Sequence, residues 1–224
     1  VDADLRPILR LQALAGDTVR LSVRIRPMLT AAAMVPGEGP TELYGDDDGD
    51  GFFITRSLTD ERDAVRAQLS DLDLSEEDEV SPFAWVLSGE DAMNALIASQ
   101  DSSHPVEWEG PPRRVTGPAS ASALKLKVIG RQDWFGLKGT LTVEGAEVSL
   151  EALLLAITHN HPFIQAESGD WIRLDKALRD RLLQAASVVK KRKNGLGFSP
   201  LNALSIAALE EEGAEVRGPK KWSG

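Results

Sequence analysis

The stretch LKLKVIGRQDWFGLKGTLTVEGAEVSLEALLLAIT, residues 124–158, decides the fold class. Leu124, Leu126 and Val128 alternate with Lys125 and Lys127, the period of two that gives a strand one apolar and one basic face. After Gly130, Asp133-Trp134-Phe135 leads into Leu137 to Val143, and Glu144-Gly145 marks a turn. Ser149 then stands at an N-cap position, ahead of Leu150, Leu153, Leu154 and Ile157 at the spacing of a buried helix face. Strands joined by turns and then followed by a helix point to α+β, with mostly antiparallel strands and about five helices, rather than to a doubly wound parallel sheet.

Downstream, Phe163-Ile164-Gln165 and Trp171-Ile172-Arg173 read as a hairpin around Ser168-Gly169-Asp170. Asp175 caps a further helix with Leu174, Leu178, Leu182, Ala185 and Val189 on its apolar side. Ser199-Pro200 opens a last helix by the N-cap and N1-proline rule, and Gly213 ends it. The tail through Gly218-Pro219-Lys220-Lys221 reads as frayed.

Upstream, Val19, Leu21, Val23 and Ile25 alternate with Arg20, Ser22, Arg24 and Arg26, a second half-buried strand. Leu9 and Leu11 mark an earlier one, joined through a turn at Gly16-Asp17. Residues 27–51 lose periodicity and read as a loop, and Phe52-Phe53-Ile54 as a short strand. Ser57 with Asp60 resembles a capping box before Leu58, Val65, Leu69 and Leu72. Residues 73–82 read as an acidic linker, and Ser88 as the cap of a helix carrying Ala92, Met93, Leu96 and Ile97. Gln100 to Ser122 is rich in Pro, Ser and Gly, with one short strand at Val106-Glu107-Trp108. The expected organisation is therefore a subdomain over 1–100, a linker over 101–122, a subdomain over 123–213 and a tail over 214–224. No repeat of 20–50 residues is visible.

The 224 residues carry a formal charge of −10 and have no cysteine. Disulfides, thiolate catalysis and cysteine-ligated zinc are excluded. An acidic chain does not grip nucleic acid with its whole surface, so only a local basic patch remains for that role. No apolar run is long enough for a membrane helix, and Val1-Asp2-Ala3-Asp4 has neither a signal-peptide flank nor a starting Met. The expectation is a cytoplasmic piece of a longer protein.

The motifs that could carry chemistry are lookalikes. No Gly-Lys pair occurs anywhere, so there is no P-loop. Gly195-Leu196-Gly197 begins a dinucleotide fingerprint, but Pro200 holds the third glycine position, and a simple turn after a helix is the expected structure. Asp46, Asp48, Asp50 and Gly51 match the opening of a calcium loop, but Ser57 stands where the bidentate Glu belongs. The expectation there is an acidic solvated loop. His159 and His161 could share a metal with a third ligand, and His104 is the only other histidine. Their place at a helix end equally suits the helix dipole. No Gly-x-Ser-x-Gly elbow is present. No catalytic, cofactor or metal residue is therefore assigned.

Lys190-Lys191-Arg192-Lys193 stands out in an acidic protein. It is either a phosphate contact or the solvated C-terminal turn of the helix from Asp175. Arg20, Arg24, Arg26, Lys125 and Lys127 would make a basic face if their strands shared a sheet. Of Trp85, Trp108, Trp134, Trp171 and Trp222, the third and fourth are expected in the core and Trp222 exposed.

Taken in order, several landmarks resemble the region upstream of the motor in bacterial Swi/Snf-type ATP-dependent helicases, members of the DEAD/DEAH-box-like superfamily-two ATPases. They are Asp133-Trp134-Phe135, Leu137-Lys138-Gly139, Val148 to Leu154, Pro162-Phe163-Ile164, Gly169-Asp170-Trp171-Ile172 and the helix from Leu174 to Leu183. The resemblance runs from Leu9 to Leu209 and is specific over 133–183. It implies a non-catalytic accessory region that docks on or gates a motor further along the same chain, and that assists DNA or partner binding. It implies ATP and magnesium only in that motor, so no catalytic residue is carried over. Asp133, Trp134, Phe135, Gly169 and Trp171 are expected to define the fold. Two other readings stay open: a free-standing acidic protein-interaction module, and a metal-dependent hydrolase using His159 and His161.

Overall fold

The computed structural model describes residues 3–47, 50–130, 133–193 and 195–219. The fold is α+β, and the chain divides into two compact units, Val1–Pro112 and Arg113–Gly224.

The first unit is built on a five-stranded sheet. Strands β1 (Ile8–Ala13) and β2 (Thr18–Arg24) form the expected hairpin, pairing Leu11 with Leu21. Then come β3 (Glu42–Asp47), β4 (Asp50–Thr55), α1 (Leu58–Gln68), β5 (Glu79–Ser81), β6 (Ala84–Ser88), α2 (Gly89–Asp101) and β7 (Val106–Trp108). The sheet order is β5-β6-β2-β1-β7, with β7 parallel to β1. Val19, Leu21 and Val23 are buried along β2, and α2 packs on β6 and β2 through Ala92, Met93 and Leu96. Ile97, placed on that face by its spacing, is half-buried.

Three expectations fail here. Residues 27–51 are not a bare loop: Ile25 bridges Met34, and Glu42–Asp47 pairs with Asp50–Thr55 in a separate two-stranded hairpin. A buried ion pair explains why the approach to that hairpin is ordered. Arg56 donates to both carboxylate oxygens of Glu61, and also to the carbonyls of Pro40 and Glu38 at 2.8 and 3.0 Å. The amide of Gly37 donates to Glu61 at 2.7 Å. Residues 37–40 are thus wrapped around a charge pair whose side chains are 0% and 2% exposed. Ser57 precedes α1 but makes no side-chain cap hydrogen bond, so the capping box is not formed. Within 73–82, β5 replaces part of the expected linker.

The second unit contains β8 (Val115–Ala119), β9 (Leu124–Gly130), β10 (Phe135–Val143), β11 (Ala146–Ser149), α3 (Leu150–Thr158), β12 (Phe163–Gln165), β13 (Trp171–Leu174), α4 (Lys176–Val188), β14 (Lys190–Arg192), β15 (Gly195–Phe198), α5 (Ala203–Glu211) and β16 (Glu215–Arg217). Its main sheet runs β14-β15-β10-β9-β16, with β11 also on β10. β12, β13 and β8 form a smaller sheet, and β12 and β13 are the hairpin expected around Gly169. Ser149 and Asp175 accept from the amides of Ala152 and Leu178, as their N-cap positions require. Ser199 accepts from Leu201 ahead of a 3-10 turn that leads into α5. The alternation along β9 sends Leu124, Leu126 and Val128 into a core with Leu141, Leu153, Leu178, Phe198 and Ile206.

The stretch 101–122 is not a bare linker, because β7 completes the first sheet and β8 pairs with β13. The tail is not frayed throughout, because β16 lies parallel to β9. All three short strands are held by backbone pairing, which leaves little trace in side-chain pattern. Among the described residues no helix is long and apolar enough to cross a membrane.

Candidate nucleic-acid interface

Strand alternation sends Lys125 and Lys127 to the face of the second unit's main sheet opposite its apolar core. Register then decides which side chains stand beside them. Lys127 pairs with Lys138 on β10 and with Arg217 on β16. Three cations therefore occupy one row across three adjacent strands. Like charges directly opposite one another are destabilising in a sheet. Lys125, in the next row, pairs with Thr140 and with Glu215. Glu215 is the carboxylate of this patch, and Arg217 engages it at 2.7 Å. Among the described residues, Lys125, Lys127 and Lys138 have no carboxylate within ion-pair distance. Together these side chains line a shallow depression.

The row on the other side of Lys138 and Lys127 is built differently. Lys190 faces Gly197, Gly197 faces Gly136, and Gly136 faces Ile129. The Trp134 ring lies over those glycines. A Cβ added at Gly197 would stand 2.3 Å from two ring carbons of Trp134, so this strand position accepts only glycine beneath the indole. Arg192, two residues along β14 from Lys190, places its guanidinium 5.8 Å from the centre of the Trp134 ring, within cation–π reach. The face thus carries five cationic positions besides Lys125 and a half-buried aromatic, in a chain of net charge −10.

The basic run from Lys190 to Lys193 splits. Its expected place in the last turn of the helix from Asp175 is wrong, because α4 ends at Val188 and Lys190–Arg192 forms β14. Lys190 and Arg192 belong to the face with Trp134. Lys191 points the other way and bonds Glu151 at 2.6 Å, and that carboxylate raises its pKa above the ordinary lysine value. Lys193 follows the strand and is exposed. Arg20, Arg24 and Arg26 do not join the patch, because β2 and β9 lie in different sheets.

No protein-family model matches the chain. No curated protein matches it either.

The other motifs fall away from one another. His159 donates Nδ1–H to the carbonyl of Leu155 at 2.8 Å at the end of α3, and its ring lies 6.3 Å from that of His161. His104, in the first unit, bonds the carbonyl of Gln68. Asp46 and Asp50 sit on the antiparallel strands of the β3–β4 hairpin, an extended geometry unlike a loop closing on one ion, while Asp48 lies outside the described residues. Among the described residues no three His, Asp or Glu side chains converge as a metal site. Gly195 and Gly197 lie in β15, not in a turn after a helix nor in a strand-to-helix turn that would cradle a phosphate.

Of the expected fold landmarks, Trp171 pairs with Gln165 and Val115, and Gly169 makes the hairpin turn at φ +89°. An added Cβ at Gly169 would also collide with the Arg113 guanidinium. Trp134 and Trp171 are half-buried rather than in the core, Trp85 is the buried tryptophan among the described residues, and Asp133 is exposed. Trp222 lies outside the described residues. Nothing in the sequence marks Lys138 and Arg217 as partners of Lys127, since only register brings them together.

Proposed function

We propose that this chain is a non-catalytic α+β accessory region of a bacterial, cytoplasmic Swi/Snf-type DNA-dependent ATPase. In this reading it docks beside or gates the motor and helps to hold DNA, while ATP and magnesium belong to the motor. The observation that carries the proposal is the row of Lys138, Lys127 and Arg217 beside Trp134 and Arg192. The segment over which the resemblance is specific, 133–183, includes Trp134 and Lys138 of this face. A polyanion relieves the mutual repulsion of the row, and each neutralised phosphate releases counterions.

The test is fluorescence anisotropy with a labelled DNA duplex over a range of salt concentrations. Binding is expected to be weak at physiological salt and to strengthen steeply as salt falls. The triple variant Lys127→Gln/Lys138→Gln/Arg217→Gln is expected to bind at least about tenfold more weakly, with a salt slope shallower by roughly 0.9 for each phosphate that is no longer neutralised. Lys191→Gln should bind as the parent does, because Lys191 serves the opposite face. Unchanged affinity in the triple variant would remove DNA from this reading. Ordinary ATP turnover by the chain alone would remove the accessory role.

A further inference from the structure

We infer that the face of the second unit's main sheet selects single-stranded over duplex nucleic acid, with bases stacking at Trp134 and Arg192 and phosphates running along Lys138, Lys127 and Arg217. This deepens the proposed function and rests on its nucleic-acid part. Three observations carry it. First, the cations form a row across strands rather than a cluster at a helix end or loop. Neighbouring strands are about 4.8 Å apart, so Lys138 to Arg217 spans roughly 10 Å of nearly flat surface. A flexible single strand can follow such a row, whereas the phosphates of a rigid duplex curve away from it.

Second, the aromatic is held at the surface rather than sunk into the core. Gly197 and Gly136 leave room for the indole to lie on the sheet, and Arg192 flanks its ring. Planar guanidinium and indole together present the surface on which unpaired bases stack, and such stacking tolerates any base. Bases in a duplex are already stacked on each other and have no face to offer.

Third, the charge is local. The chain as a whole is at −10, so a polyanion is repelled except where it meets this face. Glu215, engaged by Arg217, stands in the row beside these cations, and the exposed Asp133 precedes the indole in sequence. Both act against a purely electrostatic grip, which makes the stacking contribution the one that sets affinity.

The test measures anisotropy of a labelled 20-nucleotide oligothymidine, the matching RNA, and a 20-base-pair duplex, with inorganic polyphosphate as competitor. The single strands are expected to bind at least about tenfold more tightly than the duplex. Trp134→Leu, which keeps an apolar cover over the glycines, is expected to weaken single-strand binding by about five- to 150-fold, the range for removing one base stack, and to leave the duplex unchanged. Circular dichroism of Trp134→Leu should match the parent; if it does not, Arg192→Gln supplies the same comparison without disturbing that cover. Equal affinity for single strand and duplex, displacement by polyphosphate as readily as by oligothymidine, or an unchanged single-strand affinity in both variants overturns this inference while leaving the proposed function intact. Absence of binding to every nucleic acid overturns this inference together with the nucleic-acid part of the proposed function.

Discussion

Glu61→Gln is expected to destabilise the first unit by about 3–5 kcal/mol, the usual cost of breaking a buried ion pair from one side. Arg56 and Glu61 are shut away from water, and the carboxylate is met by two guanidinium nitrogens and the Gly37 amide. A glutamine offers one acceptor oxygen where two are used, and turns an NH₂ toward donors. The arginine keeps its charge and loses its counter-charge, so the desolvation cost stands without its compensation. Chemical denaturation followed by circular dichroism measures the loss. The double variant Arg56→Met/Glu61→Leu separates the pair's net worth from the cost of orphaning a charge, and is expected to recover most of the stability. Hydrogen exchange should also rise at Gly37 in Glu61→Gln, since that amide loses its acceptor. A loss under about 0.5 kcal/mol, the range of ordinary surface changes, would mean that the pair does not hold this region.

Trp85→Ala should cost a comparable amount, about 3–5 kcal/mol, through the cavity it leaves. Trp85 is 1% exposed, the largest side chain among the fully buried ones, and sits on β6 opposite Leu21. Its indole N–H donates to the carbonyl of Ser75 at 2.7 Å, which ties the segment before β5 to the sheet. Trp85→Phe keeps most of the apolar packing and loses that donor. Ser75 is exposed, so water can meet the freed carbonyl, and the change is expected to cost about 0.5–1.5 kcal/mol, the net worth of one hydrogen bond. Thermal unfolding of both variants against the parent gives the two numbers. If Phe and Ala cost the same, the missing hydrogen bond rather than the cavity accounts for the loss.

The parts of the fold legible in the sequence are those whose signal is local. Period two along Val19 to Arg24 and Leu124 to Val128 marks the two central hairpins, because one face of each strand is buried. Ser149, Asp175 and Ser199 mark helix starts because their side chains accept the first free amides. Ser57 has the right residue type, yet the ordering force at that helix start is Glu61 reaching back to Arg56 and Gly37, and nothing in the spacing announces it. Lys190 to Arg192 has no apolar alternation, being exposed at all three positions, so it reads as a helix end and is instead an edge strand. Glu42 to Asp47 is hidden by its glycine and aspartates.

The candidate site is half-visible for the same reason. Lys125 and Lys127 declare their face through their own strand. Lys138 and Arg217 reach that face through pairing with a residue 11 and 90 positions away, and pairing over such distances is a property of the sheet, not of a window of sequence. The run Lys190 to Lys193 stands out as one block of charge, but alternation divides its strand residues between opposite faces.

The position of β16 has a consequence for any shortened version of this protein. It is the neighbour that covers β9 on the side away from β10. Removing residues 214–219 would strip Arg217 from the basic row and, with it, the hydrogen-bond partners along that side of β9. A seven-residue strand with three buried aliphatic side chains would then present a bare ladder to any passing chain. Such a truncated protein should self-associate with rising concentration in size-exclusion chromatography, so the same few residues act as a seal against aggregation.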